Sequence, residues 1–161
     1  MTFHSTPLVG WICNCKWPSD TKPDARPVLI GRVWHDLSGE IWVLAIYGTG
    51  QRTASQNSNA ASHELEVLAG DPAFASMGLQ SDTKFNFKQT VPLRWEPGTF
   101  GSDATGRDCR RGSLTDPQWK ADAIAAMARF CPKPGAKPTL VEHRPSRTIQ
   151  RLASSSGKSE G

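Results

Sequence analysis

The feature that most constrains this chain is a pair of apolar runs held four residues apart. Pro27-Val28-Leu29-Ile30-Gly31-Arg32-Val33-Trp34-His35 and Glu40-Ile41-Trp42-Val43-Leu44-Ala45-Ile46-Tyr47 flank Asp36-Leu37-Ser38-Gly39. Gly39 accepts a positive φ and Asp36 can bond its own local backbone, so the link predicts a hairpin between antiparallel strands. Both runs are too continuously apolar for strands with one wet face, which places them at the middle of a sheet or barrel covered on both sides. In that hairpin, opposite positions sum to about 75, so Arg26 and Thr49 are cross-strand neighbours at the far end.

The flanking segments read in the same way. Val9 to Cys15 predicts a first strand with Trp11, Cys13 and Cys15 on one face, followed by a polar loop from Lys16 to Ala25. A polar Gly/Ser/Asn-rich loop, Gly48 to Ala61, leads to an alternating strand from Ser62 to Ala69 and a helical turn within Pro72 to Met77. Thr83 to Phe87 and Thr90 to Trp95 give one or two more strands, with Pro92 marking an edge or a bulge. Residues 96–114 read as a loop, and Thr115-Asp116-Pro117-Gln118 reads as a capping box with Thr115 at the N-cap. The helix that follows presents Trp119, Ala123, Met127 and Phe130 on one stripe until Pro132 ends it. The class expected is mainly β with a few helices, a small barrel or sandwich.

With 161 residues there is room for one core, assigned to residues 1–131, and a tail over 132–161. The tail carries six basic side chains against two acidic ones, a net +4, while the body balances to zero. Such a tail suits either an electrostatic tether to nucleic acid or a solvated, partly disordered extension. No apolar run approaches the length of a membrane span or a signal peptide, so the expected location is the cytoplasm, with no membrane contact. The four cysteines are then expected as reduced thiols.

Several chemistries drop out. Gly48-Thr49-Gly50 lacks the lysine and the following helix of a phosphate loop. Cys13-x-Cys15 is too tight for a zinc knuckle, and Cys109 and Cys131 stand 22 residues apart, which favours small buried thiols over a metal site. The four histidines form no helical ligand pair, and the six tryptophans lie mostly inside apolar runs, as core residues do. What remains is Arg26 beside Thr49, a cation and a hydroxyl that can hold a phosphate or can simply be a surface charge at a strand start.

The segments Gly10-Trp11-Ile12, Arg26-Pro27-Val28-Leu29-Ile30, Val43 to Gln51, Gly78 to Phe87 and Val91-Pro92-Leu93, in that order and spacing, resemble the PemK/MazF family of toxin endoribonucleases. The resemblance spans about residues 8–96. It implies an SH3-like barrel, usually a homodimer held inactive by a cognate antitoxin, that cuts single-stranded RNA without metal or other cofactor. Arg26 and Thr49 match the family's catalytic arginine and threonine, and the products would be 2′,3′-cyclic phosphate and 5′-hydroxyl ends. The loop over the site would bring Lys16, Trp17 and Lys22 to the RNA, with Gln51, Arg52 and Lys84 as further contacts. Where family members carry a late acid/base pair this chain departs from the pattern, leaving His63 and Asp82 as candidates for the general base. The departure also motivates a rival: an inactive barrel of the same fold that binds RNA or a protein partner such as DNA gyrase.

Overall fold

A computed structural model describes residues 6–20, 25–50, 63–101 and 109–131, together with the backbone of 140–142. Its strands are β1 (Trp11–Cys15), β2 (Arg26–Asp36), β3 (Ile41–Thr49), β4 (Glu64–Val67), β5 (Thr83–Arg94), β6 (Arg110–Ser113) and β7 (Leu140–Glu142), with a 3-10 turn at Ala75–Met77 and one helix, α1 (Pro117–Phe130). All strand pairs are antiparallel, in the order β4-β5-β3-β2-β1-β6, and β7 extends the edge of β2 that β1 leaves uncovered. Among the described residues the fold is mainly β with one α-helix, and its mainly β class is the one the strand pattern predicts. Among the described residues, no helix is long and apolar enough to cross a membrane.

The central hairpin forms as expected. Asp36 organises its turn: Oδ1 accepts from Ser38 N, Ser38 Oγ and Glu40 N at 2.9, 2.7 and 3.0 Å, and Oδ2 accepts from Trp42 Nε1 at 3.1 Å. The Ser38 hydroxyl above all, with the Trp42 indole and the backbone N–H groups, holds the Asp36 carboxyl down to about 2. Val28 faces Tyr47 and Ile30 faces Ala45 in the predicted register, and a bulge between Ile30 and Arg32 shifts the remainder by one residue. At the bulge Gly31 lies under the helix, where a Cβ would come within 2.8 Å of Ile46 Cδ1 and 3.2 Å of Met127 Cε.

The sheet is covered on both faces, which is why β2 and β3 read as unbroken apolar runs. One core gathers Ile12, Leu29, Ile46, Met77, Phe85 and Phe87 beneath α1; the other gathers Cys13, Cys15, Val28, Val43, Trp95 and Phe100. None of the six tryptophans is exposed. All pack in or against these two cores.

Two expectations need correction, the loop after residue 96 and the N-cap, and two readings left open become definite. The region read as a loop after residue 96 contains β6, because Arg110–Ser113 completes the open edge of β1 despite its poor intrinsic strand propensity. Residues 83–94 make one continuous strand that shifts register against β3 between Ile46 and Tyr47. Its Pro92 half lies beyond the reach of the four-residue β4, on an edge where a missing N–H does no harm. The N-cap of α1 is Asp116, whose carboxylate accepts from Trp119 N at 2.9 Å, while the Thr115 hydroxyl pairs with Ser76 Oγ. Within the tail, the backbone of residues 140–142 pairs with Trp34–Asp36 as β7.

Candidate functional site

Strand register assembles the site. Cys15 faces Arg26 across β1 and β2, Thr49 faces Lys84 across β3 and β5, and Lys84 faces Glu66 across β5 and β4. Continuing the Val28–Tyr47 pairing by two residues sets Arg26 opposite Thr49. Residues directly opposite in an antiparallel ladder share a face and stand about 5 Å apart. Arg26, Thr49, Lys84 and Glu66 therefore form one polar row across four strands, at the margin of the core that holds Cys15, Val28 and Tyr47.

Each cation in the row has a carboxylate partner. Arg26 donates through Nε to Asp20 Oδ2 at 2.5 Å and through Nη1 to the Gly48 carbonyl at 2.9 Å. Its guanidinium lies 4.3 Å from the centre of the Tyr47 ring, and that ring meets Trp17 edge-on at 5.0 Å. The guanidinium is thus fixed in position and orientation, as bidentate recognition of a phosphate requires. On the other side of Thr49, Lys84 Nζ lies 3.2 Å from Glu64 Oε2, with both side chains largely buried. Gly48 permits the close approach: a Cβ there would lie 2.4 Å from the Pro27 carbonyl oxygen and 2.9 Å from Phe85 Cε1.

The other expected site residues divide into three groups. Lys22, Gln51 and Arg52 lie outside the described residues. Lys16 is exposed just past β1, next to the row. Trp17 is buried, and its ring is spent on Tyr47, so it supports the Arg26 platform from within and is not a surface on which a base can stack. Of the two base candidates, Asp82 Oδ1 accepts from Ala69 N at 2.7 Å and so ties the end of β4 to the start of β5. His63 packs its ring on Phe130 at 5.8 Å; it stands three residues from Glu66, roughly 10 Å along the strand, and is not brought to Thr49.

The residues missed in sequence are Asp20, Tyr47, Glu64 and Glu66. Alternation along 62–69 puts both glutamates on one face, but nothing in the sequence says which strand lies beside them. Asp20 sits in an aperiodic polar loop, where no local signal ties it to a residue six positions on.

The four thiols are not brought together. Cys13, Cys15 and Cys109 share one core while Cys131 lies across the sheet in the other, bonded to the Phe87 carbonyl. Among the described residues, no group of three His, Cys, Asp or Glu side chains is placed to hold a metal ion. A hydrogen bond to Cys109 together with burial pushes the Cys13 thiol far up, and burial with the nearby Asp20 charge pushes Cys15 up to about 12. Both are protonated thiols at neutral pH. No family model and no curated protein sequence matches the chain.

Proposed function

We propose that this chain is a toxin-type endoribonuclease that cleaves single-stranded RNA by internal attack of the ribose 2′-hydroxyl on its own phosphate. The observation that carries the reading is the fixed Arg26 guanidinium beside Thr49, with a second cation, Lys84, on the far side of the same hydroxyl. The reaction builds negative charge on the non-bridging phosphoryl oxygens, and preorganised donors aimed at that charge lower the barrier most. Arg26 spans two such oxygens and Thr49 donates to the phosphate. The products are a 2′,3′-cyclic phosphate and a 5′-hydroxyl, and DNA is refused because it lacks the attacking group. The resemblance to the PemK/MazF family adds a homodimer, a cognate antitoxin and a cytoplasmic setting to this proposal.

The test is incubation of a long single-stranded RNA with the protein and with Arg26→Ala, in EDTA, with the cut ends mapped. Discrete cuts ending in cyclic phosphate with the wild type alone are expected. Equal products from both proteins would sink the assignment.

One observation favours the second reading, a barrel that binds RNA or a protein partner without cutting it. Arg26 and Lys84 are each already held by a carboxylate, and with Glu66 the cluster has, among the described residues, more acidic than basic groups. Retention of uncut RNA by the wild type would support that reading.

A further inference from the structure

The two ion pairs flank Thr49 from opposite sides, Asp20 with Arg26 on the β2 side and Glu64 with Lys84 on the β5 side. This inference rests on the ribonuclease reading and assigns its missing proton carriers. Internal cleavage of RNA displaces the 5′ oxygen roughly in line with the attacking 2′ oxygen, so the proton acceptor and the proton donor must stand on opposite sides of the phosphate. Of the two cations here, the guanidinium holds its proton at every physiological pH, whereas an ammonium can give one up. The donor is then on the β5 side and the acceptor on the β2 side, where, among the described residues, the carboxylate paired with the Arg26 guanidinium is Asp20.

The geometry points to Asp20 as the general base and Lys84 as the general acid, with Arg26 and Thr49 holding the phosphate between them and Glu64 as the positioning residue for Lys84. The step balances. Asp20 takes the 2′-hydroxyl proton, the 2′ oxygen forms its bond to phosphorus, the bond from phosphorus to the 5′ oxygen breaks, and the 5′ oxygen takes a proton from the Lys84 ammonium. Asp20 is left as the acid and Lys84 as the amine, and exchange with water restores both. Asp20 is suited to the task by its own pairing. One oxygen, Oδ2, takes the Arg26 Nε–H, and Oδ1 has no hydrogen-bond partner among the described residues. Among the described residues, Arg26 and Cys15 stand beside Asp20, and Glu64 and Glu66 of β4 stand beside Lys84.

A substrate with sulfur in place of the bridging 5′ oxygen separates the two roles, because a thiolate leaves without needing a proton. On ordinary RNA, Lys84→Met and Asp20→Asn are each expected to lose about 10²- to 10⁴-fold in rate, the usual worth of a positioned acid or base. On the sulfur-bridged substrate Lys84→Met recovers to near the wild-type rate and Asp20→Asn does not. Asp20→Asn also loses the rising acid limb of the pH–rate profile. Since Lys84→Met leaves Glu64 buried without its cation, Lys84→Met/Glu64→Gln is measured beside it, and near-UV circular dichroism checks that each variant keeps the wild-type packing. Equal losses of Lys84→Met on both substrates would overturn the acid assignment. Recovery of Asp20→Asn, or loss of the acid limb in Glu64→Gln but not in Asp20→Asn, would overturn the base assignment. A wild type inert on both substrates would overturn the ribonuclease reading, and this inference with it, whereas an active wild type with unaffected variants would overturn the inference alone.

Discussion

Gly48→Ala tests whether the site depends on the close contact between β2 and β3. The new methyl would sit 2.4 Å from the Pro27 carbonyl oxygen and 2.9 and 3.1 Å from two ring carbons of Phe85, a side chain with no exposed surface. Ordinary contact lies near 3.5 Å, so the strands must separate by about 1 Å. Neither neighbour yields easily, since one is ladder backbone and the other is locked in the core. Overpacking of this kind costs about 1–3 kcal/mol, and alanine's smaller unfolded-state entropy returns about 0.4–1 kcal/mol. The net loss of about 1–2 kcal/mol corresponds to a fall in Tm of roughly 3–12 °C for a domain of this size. Gly70→Ala is the control, because a Cβ there meets nothing within 4 Å and its φ is ordinary. Thermal melts followed by circular dichroism give both values. A Gly48→Ala protein as stable as Gly70→Ala would refute the reasoning, since β2 would then be free to move away from the Gly48 carbonyl that anchors Arg26.

Other consequences follow from single side chains. Asp36 is held down to about 2 against an ordinary 3.8, so its contribution is complete above pH 3.8 and is lost as the pH falls through about 2. The urea midpoint of the wild type should therefore fall more steeply between pH 4 and 2 than that of Asp36→Asn, and parallel slopes would contradict it. Asp116→Ala should cost about 1 kcal/mol as loss of a helix N-cap, and Thr115→Ala less, in chemical denaturation; the reverse order would restore Thr115 as the cap. The four buried thiols should react with a thiol reagent at pH 8 only as fast as the protein opens, and immediate reaction of any one would place it outside the core.

Much of the fold was legible because it follows from local pattern. The unbroken apolar runs of β2 and β3, the Asp36 to Gly39 turn and the stripe on α1 each bury themselves in the only way their spacing allows. The strand β6 was not legible, since Arg110-Arg111-Gly112-Ser113 is extended by the open edge of β1 and not by its own propensity. The cap moved by one residue for a similar reason: Thr115 has a partner in Ser76, 39 residues away, and Asp116 is left to receive the helix.

The candidate site divides along the same line. The sequence by itself brought Arg26 and Thr49 to within one position of each other, because a hairpin turn sets the register of the two strands it joins, and the bulge between Ile30 and Arg32 then sets them opposite. It also put Glu64 and Glu66 on one face through the two-residue period of a strand. Only the tertiary structure decided that β5 lies beside β3 and β4 beside β5, which brings Lys84 and its glutamate to Thr49 and leaves His63 against the helix. Only tertiary structure, likewise, folds Asp20 back onto Arg26. Those contacts are made between segments whose separation along the chain carries no periodic signal, and their partners are chosen by which strand edges and buried faces remain open when the central hairpin has formed.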